Sequence, residues 1–236
     1  KLFLAQLYSD YSYISLKNKN IKEIKKKFKN KKIKSKLILI KKFLPHSLIK
    51  KINNEHFRSE GNIENLSFAY KIAKNFKIND KIIIKALNKF VGLPHRQEII
   101  FSNKKILCIN DSKATSFDAS LQSLMNYNNI YWILGGLPKY KDFFNLKRVK
   151  QKIIKAYIIG KNTNFFAKKI KNNIDYKISK SMKKAINDIY KDLKFRKNIK
   201  NTILLSPAAA SFDQFTNFEK RGMYFKNLIM KKIKKN

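Results

Sequence analysis

Lys113, Thr115, Lys139 and Ser211 are the residues whose types and positions best suit the binding of a small anionic ligand. Each lies a few residues after a short apolar run that predicts a buried strand. Ligands of open parallel sheets bind beyond the carboxyl ends of the strands, so we expect these side chains to converge. Ammonium and hydroxyl groups hold carboxylate oxygens through hydrogen bonds. The pattern therefore favours a small dicarboxylate over a neutral ligand.

The segment around Ser211 also predicts the start of the last helix. Ser211 and Gln214 match the Ser-x-x-Gln capping box, in which the serine caps the first turn. The free N–H groups and the dipole of that helix would add to the anion site. Thr115 is expected at the head of another helix, with further amides. Ser211 is equally compatible with an ordinary helix cap, and Asp111 and Ser112 with turn residues.

Strands and helices alternate in the second part of the chain. The predicted strands are residues 98–101, 106–109, 131–134, 156–159 and 202–205. The predicted helices lie near residues 117–126, 147–153, 163–171, 181–193 and 214–231. This order indicates an α/β fold with a mostly parallel sheet and helices on both faces. The strand at 202–205 is apolar and β-branched, so we expect it to be buried on both sides.

A break in the pattern at residues 91–94 (Val-Gly-Leu-Pro) predicts a domain boundary. Before it, the sequence predicts strands at 11–16 and 36–40 and helices at 61–76 and 80–90. We therefore expect two domains, residues 1–91 and 92–236. His95 and Arg96 follow the break directly, and an arginine there is well suited to hold phosphate groups bidentately.

The formal net charge of +39 raises the question of nucleic-acid binding. Nucleic-acid binders gather arginine and lysine on one face and interleave aromatic residues for base stacking. The densest basic run here, residues 25–36, contains Phe28 and no arginine. We interpret the charge as a lysine-rich, solvated surface and expect no nucleic-acid partner. A basic nucleic-acid-binding module remains the alternative from another class of function.

Cys108 is the one cysteine of the chain, which excludes an intramolecular disulfide and a multi-cysteine metal site. It lies in an apolar run and is expected to be a buried thiol. The three histidines show no metal-ligand spacing. No apolar run approaches the roughly 18 residues that a membrane-spanning helix needs. We expect a cytoplasmic protein with no membrane insertion.

Three strings resemble one known family. They are residues 92–98 (Gly-Leu-Pro-His-Arg-Gln-Glu), 110–115 (Asn-Asp-Ser-Lys-Ala-Thr) and 206–219 (Ser-Pro-Ala-Ala-Ala-Ser-Phe-Asp-Gln-Phe-Thr-Asn-Phe-Glu). Their order and spacing resemble the UDP-N-acetylmuramoyl-L-alanine:D-glutamate ligases of the Mur ligase family. Residues 61–65 resemble the family's His-Asn-x-x-Asn segment, although Gly61 replaces its usual His and Ser116 replaces a usual Asn.

The resemblance implies an ATP-dependent, Mg²⁺-requiring ligase of peptidoglycan precursor synthesis. The terminal carboxylate of UDP-N-acetylmuramoyl-L-alanine would be phosphorylated, and the amine of D-glutamate would displace the phosphate. By motif position, Lys113 and Arg96 would be the catalytic residues. The nucleotide contacts implied are Asn65 with adenine, Arg96 with the phosphates and Asp111 with the ribose. The D-glutamate site implied consists of Lys113, Thr115, Lys139, Ser211, Phe212 and Phe218.

The resemblance also assigns the two domains. Residues 1–91 would be part of the central ATP-binding domain, and 92–236 a Rossmann-like D-glutamate-binding domain. Lys1 matches the family's carbamylated lysine, which helps to hold Mg²⁺.

The family's Gly-rich phosphate loop and its UDP-sugar-binding domain do not occur in these 236 residues. We therefore expect a C-terminal fragment, monomeric and inactive by itself. The alternative within enzymes is a sister Mur ligase or a folylpolyglutamate-type ligase with another acceptor.

Overall fold

The computed structural model describes residues 6–30, 33–41, 44–54, 57, 60–195 and 199–234. The chain divides into two compact units, Lys1–Val91 and Gly92–Asn236.

The first unit contains a small parallel sheet and several helices. Strands β1 (Tyr11–Ser15) and β2 (Lys36–Ile40) pair in parallel. Its helices are α1 (Ile21–Lys29), α2 (His46–Ile49), α3 (Glu60–Asn75) and α4 (Asp80–Lys89). Leu44, Leu48 and Leu66 form a buried apolar cluster in it. The strands predicted at 11–16 and 36–40 and the helices predicted at 61–76 and 80–90 are confirmed.

The second unit is built on a six-stranded sheet in the order β3-β4-β8-β5-β6-β7. Its strands are β3 (Glu98–Ser102), β4 (Ile106–Asn110), β5 (Ile130–Gly135), β6 (Ile153–Ile159), β7 (Tyr176–Lys180) and β8 (Asn201–Leu205). All neighbours are parallel except β3, which pairs antiparallel to β4 at one edge. The predicted α/β fold with a mostly parallel sheet is confirmed.

Helices cover both faces of this sheet. They are α5 (Phe117–Asn126), α6 (Thr163–Ile170), α7 (Met182–Leu193) and α8 (Phe218–Ile233). Helices α5 and α6 pack on one face through residues such as Phe117 and Phe166. Helices α7 and α8 pack on the other through residues such as Ile186 and Phe225. Two apolar layers therefore enclose the sheet, as expected for a buried parallel arrangement.

Burial explains why the central strands were predictable. Every residue of β8 is buried, which confirms the expectation for residues 202–205. Cys108 on β4 is also fully buried, and this burial raises the pKa of its thiol to about 12. The thiol is therefore unreactive at neutral pH, as predicted for a structural cysteine.

The sequence prediction departs from the structure on either side of β6. The helix predicted at 147–153 is a short 3₁₀ turn over Lys150–Lys152 followed by β6, because the apolar residue Ile153 pairs with Ile130 in the sheet. Strand β7 was not predicted. It is an edge strand with exposed lysines, and only Ser179 in it is fully buried, so its sequence lacks the apolar pattern of a central strand.

The sheet order places the carboxyl ends of β4, β8 and β5 side by side. Three segments leave the sheet there, and we call them the β4 loop (111–116), the β5 loop (136–149) and the β8 loop (206–217). They carry Lys113, Thr115, Lys139 and Ser211. The topology therefore brings the four predicted anion-binding residues to one edge of the sheet.

Candidate functional site

The β5 and β8 loops are joined by backbone hydrogen bonds. The amide of Leu137 donates to the carbonyl of Ala210 at 2.8 Å, and the amide of Ala210 donates back at 3.0 Å. Gly136, which directly precedes Leu137, has φ +138°, and a Cβ there would lie 2.3 Å from the Ala210 carbonyl oxygen. Only glycine permits this close approach. The bridge fixes the segment of Lys139 against the segment of Ser211.

The β5 loop is also attached to the head of α5. One carboxylate oxygen of Asp142 accepts the amide of Phe117 at 2.8 Å, and the amide of Asp142 donates to the carbonyl of Lys139 at 2.9 Å. The ring of Phe144 stacks on that of Phe117 with centroids 4.4 Å apart. Lys139 is thereby held beside the start of α5. Thr115 lies just before that start, since Ser116 is the cap residue of α5.

The β4 loop contacts the first turn of α8. The hydroxyl of Ser112 donates to the carbonyl of Phe218 at 2.8 Å. The Lys113 ammonium lies over the Phe218 ring, 3.9 Å from its centroid. The Lys113 amide donates to the carbonyl of His95 at 3.0 Å. Lys113 and Phe218, predicted for the same site from distant parts of the chain, are therefore in direct contact.

Ser211 does not start the last helix, and the capping-box prediction was wrong. Helix α8 begins at Phe218, and the Asn217 side chain caps it by accepting the amide of Lys220 at 2.7 Å. Gln214 instead donates to the carbonyl of Lys180 at 3.3 Å. Its side chain is held by the end of β7, so it cannot return to cap Ser211.

Asp213 anchors the β8 loop on the other side. Its carboxylate accepts the amide of Lys161, after β6, at 2.9 Å. Ser211 on the same loop is 3% exposed, and its hydroxyl has no hydrogen-bond partner among the residues that the structure describes. The dipole of α8 therefore does not contribute to an anion site at Ser211, whereas the Ser211 hydroxyl can still form a hydrogen bond with a ligand.

The predicted amides at the head of α5 are largely occupied. Asp142 accepts the Phe117 amide, and Ser116 accepts the Ala119 amide at 3.4 Å. An anion at this site would therefore depend on side chains more than on free helix amides.

Asp111, the first residue of the β4 loop, is buried with 6% of its surface exposed. Its carboxylate accepts hydrogen bonds from the hydroxyls of Ser123 and Ser206 and from the amide of Gln97. Burial raises the pKa of Asp111 to about 6, although these hydrogen bonds and the nearby charge of Arg96 act in the opposite direction. The carboxylate is engaged by protein donors, so its role as a ribose contact stays a prediction.

The raised pKa of Asp111 predicts a pH-dependent contribution to stability. The folded group titrates near pH 6 and the unfolded group near 3.8. Its stabilising contribution is therefore complete below about pH 4 and is lost as the pH rises through about 6. At about 1.4 kcal/mol per pKa unit, the full change is on the order of 3 kcal/mol.

Urea unfolding of the wild type and Asp111→Asn at pH 4.5 and 7.5 measures this contribution. Asparagine mimics the protonated acid, so Asp111→Asn should gain stability relative to the wild type by about 2 kcal/mol between the two pH values. A difference that stays constant with pH would contradict the expectation.

Arg96 and His95 lie on a strained turn before β3. His95 has φ +62° and Gln97 φ +48°, which non-glycine residues rarely adopt. The buried His95 ring accepts the side-chain amide of Asn110 through Nδ1 at 2.8 Å. Arg96 is exposed and close enough to Asp111 to lower its pKa. The structure thus brings Arg96 and Asp111 into one neighbourhood. Sequence reasoning did not identify the buried Asn110–His95 pair.

The chain is similar to curated ligases of one name. It is 39% identical over 176 residues to the UDP-N-acetylmuramoylalanine–D-glutamate ligase of Rickettsia felis, covering 74% of this chain and 39% of that protein. It is 37% identical over 170 residues to the enzyme of that name from Wolbachia of Brugia malayi, covering 72% and 34%. The Rhizobium meliloti enzyme is 37% identical over 168 residues, covering 71% and 36%. No protein-family model matches the chain.

The chain belongs to the Mur ligase family. It spans about two fifths or less of the length of the curated relatives described above.

Solved structures of other Mur ligases share this fold. The chain superposes on MurF from Acinetobacter baumannii with a TM-score of 0.59 at 12% identity, covering 92% of this chain and 51% of that one. It superposes on the murein peptide ligase Mpl from Psychrobacter arcticus with a TM-score of 0.53 at 11% identity, covering 97% and 53%. At these identities the similarity shows the Mur ligase fold alone.

The other predicted site residues of this Mur ligase chain are exposed or lie outside the described residues. Asn65 is exposed on α3 of the first unit, and its adenine contact stays a prediction. Phe212 is 68% exposed on the β8 loop, and Lys139 is exposed on the β5 loop. Lys1 lies outside the described residues, so the prediction that it helps to hold Mg²⁺ is not addressed by the structure.

The described part of this Mur ligase chain gathers no group of three His, Cys, Asp or Glu side chains that could hold an ion. These residues by themselves therefore do not fit a Mg²⁺ site. Among the described helices, none has the length and apolar character to span a membrane.

Proposed function

We propose that residues 92–236 form the D-glutamate-binding domain of an ATP-dependent ligase of peptidoglycan precursor synthesis. The ligase would join D-glutamate to UDP-N-acetylmuramoyl-L-alanine. Residues 1–91 would belong to its ATP-binding domain. The observation that carries this proposal is the convergence of three joined loops that bear Lys113, Lys139 and Ser211. The names of the similar proteins supply the substrate class.

The residues of the three loops suit the two carboxylates of glutamate. Lys113 is half-buried and held over Phe218, so its ammonium loses little freedom when it pairs with a carboxylate. The free hydroxyl of Ser211 and the hydroxyl of Thr115 offer hydrogen bonds without added charge. Lys139 is exposed and supplies a second positive charge. Two carboxylates held at fixed points would orient the amine between them and select one enantiomer.

Arg96 would hold phosphate oxygens beside this site, since its guanidinium is exposed next to Asp111. ATP would transfer its phosphoryl group to the carboxylate of UDP-N-acetylmuramoyl-L-alanine, giving an acyl phosphate. The amine of D-glutamate, held by the loops, would then attack the acyl carbon, and inorganic phosphate would leave. A cytoplasmic location and a monomeric state fit this proposal and remain predictions.

Calorimetric titration of the chain with D-glutamate and L-glutamate tests the proposal. We expect D-glutamate to bind at least about tenfold more tightly, and Ser211→Ala and Lys139→Met each to weaken it by about 3- to 30-fold, as for the loss of one hydrogen bond or ion pair. Lys141→Met, an exposed lysine on the same loop, is the matched control and should leave the affinity unchanged.

Equal binding of the two enantiomers, or no binding of either, would contradict the D-glutamate proposal. Preferential binding of a different amino acid would instead indicate a sister ligase.

A further inference from the structure

Arg221 is a buried cation beneath the loops of the candidate site. It lies in the first turns of α8 with 1% of its surface exposed. Burial lowers the pKa of its guanidinium to about 10, so the group remains protonated at neutral pH. Burial of a charge is unfavourable unless hydrogen bonds and nearby charges compensate it. We therefore ask which interactions hold the buried guanidinium in this position.

The guanidinium joins the β4 and β8 loops. Its Nε donates to the hydroxyl of Ser112 at 3.0 Å, and its Nη2 donates to the Ser112 carbonyl at 2.8 Å. Nη2 also donates to the carbonyl of Ala209 at 3.0 Å. Ser112 directly precedes Lys113, and Ala209 lies two residues before Ser211. One rigid group therefore sets the separation of two ligand-bearing segments.

The remaining nitrogen of the guanidinium lies against the β5 loop. Among the residues that the structure describes, Nη1 has no hydrogen-bond acceptor although it is buried. A Cβ on Gly136 would lie 3.2 Å from Nη1, so the glycine backbone rests on the guanidinium. The three loops consequently meet on a single side chain.

The charge of Asp213 favours the protonated guanidinium, yet one donor of the group stays unpaired among the described residues. A buried donor without an acceptor is unfavourable, and an apolar side chain of similar volume often stabilises a core better than a buried charge does. A planar group with fixed donors does, however, hold its acceptors in one geometry, which lysine or methionine would not do. Its charge also acts through a medium of low dielectric on any anion held above it.

We propose that Arg221 is a positioning residue that fixes the β4, β5 and β8 loops in the geometry that binds the acceptor amino acid. The link to the amino acid rests on the proposed function, whereas the ordering of the loops does not. Arg221 would touch no ligand atom and would act through Lys113 and Ser211.

The test compares Arg221→Met, Arg221→Lys and the wild type, with the exposed Arg148→Met as the matched control. Amide hydrogen exchange in the ligand-free chain reports the loops at Lys113, Leu137 and Ala210, whose amides donate to the carbonyls of His95, Ala210 and Leu137. Exchange at Trp132 in the buried strand β5 reports the core. Calorimetry then gives the affinity of each variant for D-glutamate.

We expect exchange at the three loop amides to become at least tenfold faster in Arg221→Met while exchange at Trp132 is unchanged. D-glutamate affinity should fall about tenfold in Arg221→Met and less in Arg221→Lys, which keeps the charge but cannot reach both loops at once. Arg148→Met should match the wild type. If Arg221→Met does not fold, Arg221→Lys carries the comparison.

Unchanged loop exchange in both variants would overturn the ordering role. Faster exchange with unaltered D-glutamate affinity would overturn the positioning role while the proposed function stands. Failure of the wild type to bind D-glutamate would overturn the proposed function instead, and the exchange data alone would then decide whether Arg221 orders the loops.

Discussion

Replacement of Gly222 by alanine is expected to destabilise the second unit by about 2–4 kcal/mol, because the added methyl group has no space. A Cβ at this position on α8 would lie 2.2 Å from Nδ1 of His95 and 3.0 Å from Oδ1 of Asn110. Neither neighbour can move freely. His95 is held in a left-handed turn and accepts a hydrogen bond from Asn110, which also donates to Glu98 at 3.1 Å.

This result would run against helix propensity, which favours alanine over glycine by about 1 kcal/mol within a helix. Urea unfolding of Gly222→Ala provides the measurement, and Asn227→Ala at an exposed position of α8 is the matched control. In the His95→Ala background the added methyl group has space. Gly222→Ala should therefore reduce the free energy of unfolding much less in that background than in the wild type. A neutral or stabilising Gly222→Ala would show that α8 does not pack on His95 as described.

Replacement of Lys113 by methionine is expected to weaken D-glutamate binding by about 10- to 100-fold. Methionine keeps the length and apolar contact of the side chain but removes the charge. A hydrogen bond between charged groups contributes about 1.5–3 kcal/mol, which corresponds to that range of affinities. Lys113 is half-buried and held 3.9 Å above the Phe218 ring, so little of this interaction is screened by solvent.

Calorimetry of Lys113→Met measures this loss, with Lys220→Met, an exposed lysine on the first turn of α8, as the control. Phe218→Leu should weaken binding about 2- to 10-fold, as a cation–π contact contributes roughly 0.5–1 kcal/mol or more. The two changes together should cost less than their sum, since Phe218 acts partly by positioning Lys113. If Lys113→Met bound D-glutamate as tightly as the wild type does, Lys113 would not be part of the D-glutamate site.

The strands that lie inside the sheet could be predicted because burial on both faces leaves a direct mark on sequence. The apolar residues of β8 and the run around Cys108 on β4 are such marks. The edge strand β7 escaped because its lysines face solvent, so its composition is that of a surface loop. The segment before β6 was misassigned because Val149 and Ile153 have helical spacing, whereas one lies in a turn and the other in a strand.

The site was predictable to the extent that strand ends determine it. Lys113, Thr115, Lys139 and Ser211 lie on loops at one edge because three parallel strands end there. The role of Gln214 was not predictable from the local capping pattern, because its side chain donates to the carbonyl of Lys180, 34 residues away in the chain.

Arg221 was not predictable for the same reason. Its acceptor Ser112 is 109 residues distant in the chain, and nothing in the local sequence marks a buried arginine. Long-range hydrogen bonds of this kind become visible only in the folded chain.

The most direct test of the central claim is a map of amide chemical shifts of the ¹⁵N-labelled chain during titration with D-glutamate. The claim is that three joined loops form one site for this amino acid. We expect saturable shifts at Lys113, Thr115, Lys139 and Ser211 with a common Kd, and much smaller shifts with L-glutamate at the same concentration. Shifts confined to surface lysines elsewhere, or identical shifts with both enantiomers, would contradict it.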